Sequence, residues 1–63
     1  MFKMGETVRV KPSRTSPLVY HNFEGIVRSY NPKEKSYSLD ISGIRVGIYE
    51  EDLVVVTKQE DQQ

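Results

Sequence analysis

The groups in this chain that could do chemistry are few and scattered. His21 is the only histidine and there is no cysteine, so the usual nitrogen and sulfur donors cannot assemble a zinc or copper set. A single imidazole can act as a general base near neutral pH. Here it stands beside Tyr20 in a polar, proline-rich stretch, which reads as an exposed loop histidine. Glu50, Glu51 and Asp52 are consecutive, whereas a calcium loop spaces its oxygen ligands along a dozen residues. They read as solvated carboxylates on a turn. Ser13, Ser16, Ser29, Ser36, Ser38 and Ser42 have no recognisable base and orienting acid in sequence. No phosphate loop, dinucleotide fingerprint or serine elbow is present. A chain of 63 residues also offers little volume for a protected pocket. The expectation is a non-catalytic protein with no cofactor, no metal and no catalytic residues.

The side chains suited to binding are more numerous. Arg9, Lys11, Arg28 and Arg45 fall out of phase with the apolar residues around them, and Tyr20, Tyr30 and Tyr49 are spread along the same segments. Arg14 and Lys35 fall in or near loops. Cationic groups beside aromatic platforms suit single-stranded nucleic acid, with phosphates meeting the cations and bases stacking on the rings. The same residues suit a protein partner, because tyrosine buries a large area at little entropic cost. The expected binding set is therefore Arg9, Lys11, Arg28, Arg45, Tyr20, Tyr30 and Tyr49. An unidentified protein partner or a homodimer is expected first, and RNA or single-stranded nucleic acid is the alternative.

Charge supports that order. The chain is formally neutral. Residues 1–47 carry eight basic and four acidic groups, and residues 48–63 carry one basic and five acidic groups. The body reads as basic and the tail as acidic, an asymmetry that permits a cationic face without making the whole protein a polycation. No apolar run approaches the roughly 20 residues that span a bilayer, and the first residues lack a signal-peptide pattern. A cytoplasmic protein with no membrane association is expected, and the lack of cysteine is compatible with a reducing compartment.

Strands must position these groups. Val8 and Val10 alternate with Arg9 and Lys11, Tyr37, Leu39 and Ile41 with Ser38 and Asp40, and Ile44, Val46 and Ile48 with Arg45 and Gly47. That period of two marks sheets with one buried and one wet face. Strands are predicted over residues 7–11, 23–30, 36–41, 44–49 and 54–57, with a core of Val8, Val10, Val27, Leu39, Val46 and Leu53. Pro12 ends the first strand. Residues 12–22 form a long loop with room for a brief helical turn, in which Leu18, Val19 and Tyr20 fold back over one opening of the barrel. Gly25 marks a bulge or a close backbone crossing. Gly43 supplies positive φ to a tight turn, and residues 50–53 make one helical turn that drops Leu53 onto the core. Residues 1–57 are one domain, and residues 58–63 are a polar tail expected to be disordered.

Five short strands without a helix layer bury their apolar face by closing on themselves. A flat three-stranded sheet completed by dimerisation is the alternative. The expected fold is therefore all-β, a small five-stranded SH3-like barrel with a short helical turn before the last strand. Four segments carry a resemblance to that superfamily and to its KOW-type modules. Gly5-Glu6-Thr7-Val8-Arg9-Val10 resembles the opening strand, Glu24-Gly25-Ile26-Val27 the second, and residues 36–40 the third. Residues 46–53 with Val54-Val55-Val56 resemble the final strands and intervening turn. The resemblance implies a barrel that binds peptides, dimerises or serves as an accessory subunit. Residues 12–22 depart from the glycine-rich loop of KOW domains.

Overall fold

The computed structural model describes residues 2–56. The tail expected over residues 58–63 lies outside the described residues. Five strands form one antiparallel sheet: β1 (Thr7–Val10), β2 (Glu24–Asn31), β3 (Ser36–Ile41), β4 (Ile44–Tyr49) and β5 (Leu53–Val55). Two 3-10 turns, Leu18–Tyr20 and Glu50–Asp52, interrupt the connections. The short helical turn before the last strand is where the sequence put it.

The barrel is not. The hydrogen-bonded order is β4-β3-β2-β1-β5, with β4 and β5 at the two edges. A closed barrel needs a ladder joining the two strands at the edges of its sheet, and among the described residues β4 pairs only with β3 while β5 pairs only with β1. The resemblance to SH3-like barrels and KOW-type modules is corrected accordingly: this is an open five-stranded sheet. The physical reason is local. The Glu50–Asp52 turn separates β4 from β5, and the three residues of β5 are aligned on Val8, Arg9 and Val10. Alternation fixes which face a side chain takes, but closure depends on edge-to-edge pairing that alternation does not encode.

The core follows the period of two. Val8, Val10, Val27, Tyr37, Leu39, Ile41, Ile48 and Leu53 are buried, and Phe2, Tyr20, Tyr30 and Val46 pack against them. Val46 was expected fully inside. It is only half-buried, and Ile44, in the same phase, is 56% exposed. β4 is an edge strand, so cover declines from Ile48 toward the hairpin tip. Tyr37, Ile41 and Ile48 fill the places left out of the expected core. The Tyr37 ring meets Phe2 edge-on at 5.3 Å and Tyr30 at 4.6 Å, and its hydroxyl accepts a hydrogen bond from the Phe2 backbone N–H at 3.0 Å.

Two backbone features set the sheet's shape. Ser42 and Gly43 both have positive φ, 54° and 85°, and they join Ile41 to Ile44 as a two-residue hairpin of the primed class that matches strand twist. The register of β2 against β3 shifts between Val27 and Ser29, so Arg28 occupies a bulge, a device that bends a strand and raises its twist. Gly25 is not the bulge but the close approach. A Cβ there would stand 2.7 Å from Ile41 Cγ1 and 3.1 Å from the Asp40 carbonyl oxygen.

Candidate interaction surface

The sheet leaves its cations on separate strands. Arg9 on β1 lies between Glu24 of β2 and Val54 of β5, and its guanidinium meets the Glu24 carboxylate at 3.5 Å. Arg45 on β4 faces Asp40 of β3, and Arg28 sits in the β2 bulge. None of these three arginines is the cross-strand partner of another. Lys11 follows β1, exposed, with its backbone N–H donating to the Asp52 carbonyl at 2.7 Å.

The tyrosines divide in the same way. Tyr20 is half-buried in the first 3-10 turn and stacks edge-on with Phe23, ring centroids 5.8 Å apart. Tyr30 is half-buried against Tyr37. Tyr49 is 43% exposed and lines a concavity of about 460 Å³ with Glu34, Lys35, Glu50 and Glu51. Three carboxylates against one ammonium make that concavity acidic. Removal of the Tyr30 phenol from water, with the Glu50 carboxylate and then Tyr37 adding to it, holds its pKa above the ordinary 10.0. The folded state therefore favours the neutral phenol. Its contribution to stability is complete below the unfolded value and is lost as pH rises through the higher folded one. A pH titration of the Tyr30 Cζ resonance gives a midpoint above the ordinary phenol value, lowered by Glu50→Gln. A wild-type midpoint at or below that value contradicts this placement.

One cluster escaped sequence reasoning. Asp52, expected as a solvated carboxylate, is 2% exposed. Its Oδ1 accepts from the Ser13 hydroxyl and its Oδ2 from the Thr15 hydroxyl, both at 2.6 Å. Ser16, itself buried, donates from its hydroxyl to the Lys11 carbonyl at 2.8 Å. His21 Nε2 donates to the Ser16 carbonyl at 3.3 Å, which gives the histidine a structural contact in place of a solvated one. Asn22, at φ 69°, donates from its backbone N–H to Val10 at 2.8 Å. The long loop is thus tied to the sheet at both ends and through its middle. The signal was present only as types: short hydroxyl side chains and an acid 37 to 39 positions apart, a separation at which sequence carries no pairing information.

Between those ties the loop turns outward. Leu18 is 79% and Val19 70% exposed, with Phe23 at 47%. This corrects the expectation that Leu18, Val19 and Tyr20 fold back over a barrel opening; of the three, only Tyr20 packs against the core. A 3-10 turn, closed here by Tyr20 N–H to Pro17 O at 3.0 Å and His21 N–H to Leu18 O at 3.3 Å, has three residues per turn, so its three side chains point in three directions and only one can face the core.

Among the described residues there is no group of three or more His, Asp or Glu side chains placed to hold a metal ion, and no helix is long and apolar enough to cross a membrane. No protein-family model, curated protein or solved structure matches this chain.

Proposed function

We propose that this protein is a small, non-catalytic interaction module that docks onto another protein through the turn carrying Leu18 and Val19. The observation that carries this reading is the exposure of two large aliphatic side chains on a loop braced by Asp52. A loop fixed in its binding conformation loses little entropy on association, and aliphatic side chains covered by a partner gain about 25 cal/mol for each Å² removed from water. The nucleic-acid alternative has less support. Arg9 is engaged by Glu24, and a base stacked on Tyr49 would bring its phosphates beside Glu34, Glu50 and Glu51.

Two measurements separate the readings. In a quantitative affinity purification from the source cell, a partner retained by the wild type is lost with Leu18→Ser/Val19→Ser and kept with Arg9→Ala/Arg28→Ala/Arg45→Ala. Titration with single-stranded and duplex RNA and DNA gives no binding tighter than the weak, nonspecific range of about 10⁻⁴ to 10⁻⁶ M. Tight binding whose logarithm falls steeply with salt, and which the triple arginine variant abolishes, overturns the proposal in favour of nucleic acid.

A further inference from the structure

β4 is the longer of the two edge strands, six residues against three in β5. Among the described residues its only ladder is with β3. The two-residue turn makes Ile41 and Ile44 a hydrogen-bonded pair, and the pattern repeats every second residue. The backbone groups of Ile44, Val46 and Ile48 therefore point at β3. Those of Arg45, Gly47 and Tyr49 point away from it. Natural edge strands are usually blunted by proline, lysine, bulges or a covering segment. β4 has six residues with no proline or lysine, in unbroken register with β3. At its centre a Cβ added to Gly47 would meet nothing within 4 Å.

We infer that β4 pairs antiparallel with β4 of a second copy of this chain, about a two-fold axis at Gly47. Three features of the strand select this occupant. Its outward backbone groups are those of alternate residues centred on Gly47, so a two-fold there makes Gly47 and the partner's Gly47 a hydrogen-bonded pair. In the same register Arg45 pairs with the partner's Tyr49, and the two pairs share one hydrogen-bonding phase. Side chains match as well. Arg45 and Tyr49 lie on the outer face, where a guanidinium over a phenol ring gains cation–π attraction. Val46 meets the partner's Ile48 on the inner face and covers the half-buried valine.

Charge completes the match. β4 carries a cation near its start, Arg45 opposite Asp40, and ends in the net-acidic concavity of Tyr49 with Glu34, Lys35, Glu50 and Glu51. An antiparallel two-fold sets each Arg45 against the partner's acidic concavity, while a parallel pairing sets Arg45 against Arg45 and one concavity against the other. This isologous arrangement is closed, since each β4 edge is consumed by the other. It uses a surface distinct from the Leu18–Val19 turn, so either proposal can fail without the other.

The test is sedimentation equilibrium of the full chain from about 10 μM to about 1 mM, a range that spans weak dimer affinities. The expected mass rises from 7.3 kDa toward twice that value with concentration. Gly47→Pro removes the outward N–H at a position where an edge strand tolerates proline. It stays monomeric over the same range with an unchanged far-ultraviolet spectrum. Arg45→Glu weakens association at least tenfold. Amide exchange at Arg45 and Gly47 slows with concentration in the wild type. A wild-type mass that stays at 7.3 kDa overturns the proposal. So does a dimer whose Arg45 and Gly47 amides exchange as fast as those of the monomer. If Gly47→Pro fails to fold, Arg45→Glu and the exchange rates decide the matter alone.

Discussion

Leu39→Ala lowers the stability of this protein by about 2–5 kcal/mol, the cost of deleting a fully buried leucine side chain from a core that cannot collapse around the space. Leu39 has 0% exposure and lies on the middle strand of three, between Val27 on β2 and Val46 on β4. A domain of this length holds only about 3–9 kcal/mol in total, at about 0.05–0.15 kcal/mol per residue. The loss takes a large share of that total, and the whole of it at the low end of the range. Urea denaturation reads the effect as a lower midpoint with an unchanged slope. A loss below about 1 kcal/mol would mean that the register of β3 is wrong and that Leu39 faces water.

Asp52→Ala costs about 2–3 kcal/mol. Hydrogen bonds to a charged group contribute about 1.5–3 kcal/mol each, and this carboxylate accepts two, from Ser13 and Thr15. The total falls short of the sum because both donors are exposed and recover water once the carboxylate is gone. Asp52→Asn retains one acceptor oxygen and recovers about half of the loss. The backbone bond from Lys11 N–H to the Asp52 carbonyl survives both substitutions, so the damage falls on the loop rather than on the β1–β5 ladder. Thermal unfolding of the three proteins in one buffer checks the order. Equal stability of wild type and Asp52→Ala would remove the brace from the account.

The parts of the fold that were legible in the sequence are those set by local rules. The alternation at residues 36–41 buries Tyr37, Leu39 and Ile41 and leaves Ser36, Ser38 and Asp40 half-buried on the other face of β3. Ser42-Gly43 could only be a turn, and the carboxylate-rich residues 50–52 do form the single helical turn before β5. What failed required knowing which distant segments meet. Short connections and the lack of a helix layer favour closure into a barrel, but nothing in the residues of β4 and β5 encodes a ladder between them. Leu18 and Val19 were assigned inward because they are apolar, yet a three-residue turn seats only Tyr20. Asp52 was assigned to solvent because it is charged, and its burial depends on hydroxyls that reach it from the far end of the first loop. The site followed the same division. The outward phase of Arg9 and Arg45 was readable, but their separation across the sheet, and the Glu24 partner of Arg9, follow only from the strand order.

The central claim is that Asp52 holds the Leu18–Val19 turn rigidly outward as a preformed apolar anchor. Backbone ¹⁵N relaxation of the wild type and Asp52→Ala tests it without any partner. Order parameters of about 0.85 are expected for Leu18, Val19 and Tyr20 in the wild type, equal to those of β3, and values below about 0.6 in Asp52→Ala. Values below about 0.6 at these residues in the wild type itself, or no change on removing the carboxylate, would contradict it.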